Sequence, residues 1–167
     1  MKRLFLIRHA KSSWGDSERD DFDRPLNKRG KRNGADMAAR FARLLLVPDL
    51  ILSSPAKRAK KTALYMAKGT GYPVASISFD EGLYLGSMAC HLRLLQKGFA
   101  KDDTLFLVGH NYTITELARY LCGVQIGDMP TCGVVAVEYA GQGGFSAEHG
   151  CGKLLFVDFP KNTSVAG

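Results

Sequence analysis

Short apolar runs alternate with helix-period stretches along most of the chain. Leu4–Ile7 is an unbroken apolar run that meets Arg8-His9, and it reads as a strand buried on both faces, as in a parallel sheet. Ser12–Arg24 is polar and Asp-rich, a loop long enough to cover or line a site. Asn27, with Leu26 before it, suits a helix N-cap. Ala35, Ala38, Ala39, Ala42, Leu45 and Leu46 then carry the spacing of an amphipathic helix, which Pro48 stops. Gly30 and Gly34 imply that this helix packs closely on the sheet. Asp49–Leu52 is a second strand. Ser54 as N-cap and Pro55 at the first helical position start the next helix, with Ala56, Ala59, Ala63, Met66 and Ala67 as its buried stripe and Gly69–Pro73 as its end. Val74–Phe79 reads as a weaker third strand. Met88, Leu92 and Leu95 predict a helix stopping near Gly98, and Thr104–Val108 a strong strand. Ile114, Leu117, Ala118 and Leu121 mark one face of a last helix. Gly133–Ala140 and Lys153–Phe159, separated by the Gly-rich 141–152, predict a hairpin or two edge strands. The tail after Pro160 is expected to fray.

This alternation with a β-rich end predicts an α/β fold, a three-layer α/β/α sandwich whose mostly parallel central sheet carries antiparallel C-terminal edge strands. A length of 167 residues fits a single domain, 1–167. The N-terminal apolar run is too short for a signal peptide's core and no stretch reaches spanning length, so a cytoplasmic location without membrane attachment is expected. Cys90, Cys122, Cys132 and Cys151 lack zinc-like spacing and read as reduced thiols. The net charge of +7 suits an anionic partner: a phosphorylated small molecule, a phosphoprotein, nucleic acid or an acidic membrane surface. The basic runs Lys28–Arg32 and Lys57–Lys61 have no interleaved aromatics and are weak as nucleic-acid elements. They read as solvated helix faces that draw anions from a distance.

Three strong strands end in residues with chemistry: Arg8-His9, then Ser53-Ser54-Pro55 with Arg58 shortly after, then His110. In a parallel sheet these junctions share one edge, where open α/β sheets place their ligands. Arg8 taken alone is equally an ordinary strand-terminal cation and His9 a surface residue; the recurrence of the pattern favours a shared pocket. Two guanidiniums match phosphate oxygens, and helix N-termini add backbone N–H groups. A neutral imidazole can attack phosphorus, with the resulting phosphohistidine hydrolysed by water. A second histidine can hold the transferring group while its oxygens carry charge. Such a set requires neither a metal nor another cofactor.

Leu-Ile-Arg-His-Ala-Lys-Ser (6–12) resembles the Arg-His-Gly signature of the histidine phosphatase superfamily, with Ala10 in place of Gly. Residues 53–63 are similar to its second motif and Val108–Asn111 to its third. The compact length, the Arg-His-Ala variant and Arg24-Pro25-Leu26 resemble its small SixA-like branch of phosphohistidine phosphatases. The resemblance makes His9 the nucleophile, Arg8 and Arg58 phosphoryl-binding residues, and His110 the second pocket histidine. It places Ser12, Arg24 and Asn111 near the phosphate or substrate, and Glu81 where the superfamily often keeps a general acid. Ser12, Arg24 and Glu81 each have a plainer alternative. Ser12 is also a common turn former, Arg24 can pair with Asp21 or Asp23 and pin the loop, and Glu81 can be a loop carboxylate. Imidazole leaves phosphorus more readily than an alkoxide and needs less proton donation, so an idle Glu81 favours phosphohistidine over sugar or alkyl esters. Trp14 is expected to pack the loop down rather than line the mouth of the site, His91 to lie at the surface or a helix edge, and His149 with Cys151 to form no metal site.

The resulting expectation is a cofactor-independent phosphatase. Its substrate is a phosphorylated protein, with a His-phosphotransfer domain as one candidate, and inorganic phosphate is the product. The alternatives are a phosphatase of small phosphorylated molecules and a non-catalytic phosphoprotein-binding module. A mutase fits less well, because Gly86–Gly98 leaves little room for an enclosing lid.

Overall fold

Side chains alternate across each central strand, and the alternation divides the interior in two. In β1 (Lys2–Arg8), Phe5 and Ile7 face one layer while Leu4 and Leu6 face the other. The computed structural model describes residues 1–14, 18–141 and 143–162. Gly15-Asp16 of the expected polar loop, Gln142 of the Gly-rich stretch and the tail from 163 lie outside these residues.

The other strands are β2 (Leu50–Ser53), β3 (Ser78–Phe79), β4 (Thr104–Gly109), β5 (Val134–Tyr139) and β6 (Lys153–Asp158). They form one sheet in the order β3-β2-β4-β1-β5-β6. The first four lie parallel, whereas β5 runs antiparallel to β1 and β6 antiparallel to β5. Helices α1 (Lys28–Arg43) and α2 (Lys57–Thr70) cover the Phe5 face, where Met37, Phe41, Ala63 and Met66 meet Phe106 and Val134. Helices α3 (Met88–Phe99) and α4 (Thr113–Cys122) cover the other, where Leu95, Phe99, Ile114 and Leu117 meet Leu105, Leu107 and Val135. The predicted three layers, parallel core and antiparallel C-terminal hairpin are all present. Among the described residues no helix is long and apolar enough to cross a membrane.

Several local expectations are corrected. The buried face of α1 is Gly30, Gly34, Met37, Ala38 and Phe41, whereas Ala35, Ala39 and Ala42 face outward and Leu45 is 91% exposed. Methyl groups carry little burial free energy, so Met37 and Phe41, worth roughly 2–5 kcal/mol each on truncation to Ala, set the phase of the helix. The two glycines serve contacts other than the sheet. A Cβ on Gly30 would stand 2.0 Å from the carbonyl oxygen of Lys11, and one on Gly34 would stand 2.6 Å from the Tyr65 ring of α2. Asn27 does cap α1, accepting from the Gly30 N–H at 2.8 Å.

Helix α2 starts two residues later than expected, with Ala56 at its N-cap in a non-helical backbone conformation, although the Ser54 hydroxyl does accept from the Ala56 N–H at 3.2 Å. The expected stripe of α2 is fully buried. Val74–Ser76 is a single 3-10 turn, and only Ser78–Phe79 pairs with the sheet. Helix α3 continues past Gly98 to Phe99, because the missing Cβ lets it lie on Leu105 and Leu50. His91, expected at the surface, is 1% exposed and packs inward with Nδ1 2.8 Å from the Ser87 carbonyl oxygen.

Candidate active site

Parallel pairing brings three chain exits side by side. Arg8 is in register with Gly109, and Ser53 with Val108. One residue further, the His9 N–H bonds the Gly109 carbonyl at 3.1 Å and the Ser54 N–H bonds that of Val108 at 3.0 Å. The antiparallel β5 closes the other flank: the Arg8 N–H bonds the Gly133 carbonyl and the Cys132 N–H bonds the His9 carbonyl, both at 3.0 Å. His9 and His110, about a hundred residues apart in sequence, come to lie with ring centroids 5.1 Å apart.

His9 is 7% exposed, and its Nδ1 lies 2.7 Å from the Ala10 carbonyl oxygen. A carbonyl only accepts, so Nδ1 carries the proton and Nε2 keeps its lone pair. The next peptide is fixed as well. The Ala10 N–H donates to the Thr62 hydroxyl at 2.9 Å, and that hydroxyl donates to the Arg58 carbonyl at 2.8 Å. Burial above all, then the charges of Arg58, Arg8 and Arg24, push the His9 pKa down to about 4 against the Ala10 carbonyl's opposing pull. Burial, followed by the neighbouring His9 and Arg58, takes His110 down to about 3. Both rings are therefore neutral at pH 7. His110 Nε2 lies 2.8 Å from the Ser54 hydroxyl, which also accepts from the Ala56 N–H.

Asp21 binds the cations of the site together. Arg58 donates from Nη1 to the Asp21 main-chain oxygen at 2.6 Å and from Nη2 to Oδ2 at 2.9 Å. Arg24 donates from Nε to Asp21 Oδ1 at 3.0 Å and from Nη1 to the Ser12 hydroxyl at 2.8 Å. The Tyr84 hydroxyl donates to Oδ2 at 2.6 Å, while its ring meets His110 edge-on at 5.5 Å. Partial burial would raise the Asp21 pKa, but the Tyr84, Arg58 and Arg24 bonds win and hold it at about 2. Arg8 turns the other way and donates from Nη1 to the Met129 carbonyl at 2.8 Å. Met129 is in turn held to α4 by its N–H bond to the Thr115 hydroxyl.

The structure thus gathers Arg8, His9, Arg58 and His110, with Ser12 and Arg24 on one wall. The Asn111 side chain accepts from Thr115 on the adjoining turn. Glu81 does not join them: it is exposed, and among the described residues its carboxylate makes no hydrogen bond or ion pair. Arg24 does pair with Asp21, as one of its two readings held. Trp14 is 74% exposed, and its ring lies 3.6 Å from the guanidinium carbon of Arg24 at the other end of the loop. Asp21's bonds to Arg58, and the parts played by Tyr84, Ser54 and Thr62, went unpredicted. No local spacing signals them, because each joins residues distant in sequence. A neutral imidazole with one free lone pair, set among guanidiniums, is suited to attack a phosphorus whose oxygens those cations neutralise.

The model of the histidine phosphatase superfamily (branch 1) matches residues 4–84. An uncharacterized chloroplastic protein of Arabidopsis thaliana is 35% identical over 84% of this chain and 67% of its own length. An uncharacterized protein of Mycobacterium tuberculosis is 31% identical over 93% of this chain and all of its own. Phosphoserine phosphatase 1 of Hydrogenobacter thermophilus is 35% identical over 53% of this chain and 44% of its own. Among solved structures, SixA from Agrobacterium tumefaciens superposes with a TM-score of 0.78 at 25% identity, covering 93% of this chain and 97% of that one. The tungstate complex of the protein histidine phosphatase SixA shares the fold at 0.80 and 20% identity, covering 95% and 97%. The chain belongs to the histidine phosphatase superfamily. Within it, the chain is a phosphatase.

Proposed function

We propose that this phosphatase removes phosphate from phosphohistidine on a protein, through a phosphorylated His9. Nε2 of His9 attacks phosphorus, and the P–N bond to the substrate's imidazole breaks. Arg8, Arg58 and His110 hold the phosphoryl oxygens during transfer, with Arg24 and Ser12 buttressing Asp21 and the Arg58 fork. Water then attacks phospho-His9, releasing inorganic phosphate and restoring the neutral ring. Each step uses side chains of this chain alone. The observation that carries the reading is the Nδ1 bond to the Ala10 carbonyl, which leaves Nε2 as the ring's nucleophilic atom.

The substrate class is supported by what surrounds Glu81. Its exposed carboxylate has no bond into the pocket, so a poor alkoxide leaving group would find no positioned acid there, whereas imidazole needs less help. The similarity to the SixA structures points the same way. A second reading, hydrolysis of small phosphate esters, is favoured by the partial match to a phosphoserine phosphatase.

The test is turnover of a phosphohistidine protein in the presence of chelator, by the natural chain and by His9→Ala. The variant should lose at least about a thousandfold, the scale at which nucleophile loss is felt. Labelled phosphate should be trapped on His9 when the reaction is quenched without acid. Undiminished turnover by His9→Ala would remove the nucleophile. A Glu81→Gln variant impaired on a sugar phosphate but not on phosphohistidine would favour the second reading.

A further inference from the structure

A groove outside the catalytic pocket runs between the starts of α1 and α2. It encloses about 440 Å³ and is walled by Lys31, Lys57, Lys60 and Lys61 over an apolar floor of Pro25, Leu26 and Leu64. All four lysines are exposed, and among the described residues none of them meets a carboxylate. Lys60 and Lys61 lie over the rings of Phe79 and Tyr65, at 5.0 and 5.6 Å, but among the described residues no opposite charge offsets the four. Lys57, Lys60 and Lys61 share one face of α2 at spacings where like charges repel. Neither helix has an acidic residue in its first turn, the place where the helix dipole disfavours cations. A repulsive stripe beside an apolar floor is relieved by a ligand that brings both carboxylates and apolar side chains.

The groove also leads to the catalytic pocket. Pro25 and Leu26 directly follow Arg24, Leu26 bridges to Ser12, and Lys57 directly precedes Arg58. We infer that this groove docks an acidic, amphipathic segment of the phosphoprotein substrate, which extends from there toward His9. The inference rests on the phosphoprotein reading above. It assigns a use to Lys31, Lys57, Lys60 and Lys61, the members of the two basic runs that line the groove and that the catalytic chemistry leaves unexplained. Apolar area in the groove favours a protein segment over bare nucleic acid, whose binding is dominated by backbone phosphates.

The probe is a fluorescein-labelled, unphosphorylated amphipathic helix of Glu and Leu, titrated by fluorescence anisotropy. Two triple variants of equal net charge are compared: Lys31→Ser/Lys60→Ser/Lys61→Ser in the groove, and Lys68→Ser/Lys97→Ser/Lys101→Ser elsewhere. Groove substitution should weaken peptide binding about tenfold and raise KM for a phosphohistidine protein to match, with kcat unchanged; the distant set should change either by less than about twofold. Equal losses from both sets would reduce the effect to net charge and overturn the inference, as would no binding by the natural chain. Tighter binding of an oligonucleotide or of anionic vesicles through the same three lysines would overturn it too, by naming a different occupant. Turnover of an aryl phosphate by all three proteins is measured alongside. If the natural chain fails on every phosphorylated substrate, the phosphatase reading falls, while the peptide titration still reports on the groove by itself.

Discussion

His9 should remain neutral and reactive far below the pH at which an ordinary histidine takes up a proton. Its pKa is pushed to about 4 from 6.5, first by burial and then by the cations of Arg58, Arg8 and Arg24. The displacement corresponds to about 3 kcal/mol disfavouring the charged ring. At pH 5 an unperturbed imidazole would be only about 3% neutral, whereas one titrating near 4 is about 90% neutral. Nitrogen-15 NMR of the histidine rings reads both consequences at once: a neutral His9 at pH 5, and a proton on Nδ1 rather than Nε2. After correction for the substrate's own titration, kcat/KM at pH 5 should stay within about twofold of its value at pH 7. Arg8→Gln should raise the His9 pKa modestly, because burial is the larger cause. A midpoint near 6.5, or a proton on Nε2, would refute the account of how the nucleophile is held ready.

Two further outcomes follow from the same contacts. His9 and His110 take up protons less readily in the folded chain, with pKa values of about 4 and about 3, than in the unfolded chain near 6.5. Their contribution to stability is therefore whole above pH 6.5 and is lost as the pH falls toward those values; each should remove about 2 kcal/mol between pH 7 and pH 5. Urea unfolding at the two pH values checks this, and His9→Gln should roughly halve the drop. Thr62→Val leaves the buried Ala10 N–H without its 2.9 Å partner, at a cost of about 1–3 kcal/mol. It should also lower kcat more than it raises KM, because it loosens the peptide next to the nucleophile.

The sequence carried the site further than it carried the helices around it. Leu4–Ile7, Ile51–Ser53 and Leu105–Gly109 are buried on both faces, so unbroken apolar runs mark the three strands as parallel, and topology then brings His9, Ser54 and His110 together. The phase of α1 was misjudged because alanines satisfy a helical period without fixing which way it turns. Val74–Phe79 has the composition of a strand, yet Val74–Ser76 closes an exposed turn, held by local bonds that include the Tyr72 hydroxyl donating to the Ser76 carbonyl at 3.0 Å. The Asp21–Arg58 bonds span 37 residues, and no periodicity links a loop carboxylate to a distant guanidinium. Ser54 shows the same limit from the other side. Ser-Pro reads as a helix start, but its hydroxyl is shared between His110 and the Ala56 N–H.

The two margins of the sheet have a bearing on how copies of this chain behave when crowded. On one side the outermost strand, β3, is two residues long, too little for another backbone to zip onto. On the other side the pairing of β6 with β5 slips out of register at Ala136/Val137, and Lys153 stands exposed at the start of β6. A broken ladder with a cation on it is a poor template for amyloid-like growth. Concentrated solutions of the native chain should therefore resist edge-to-edge stacking.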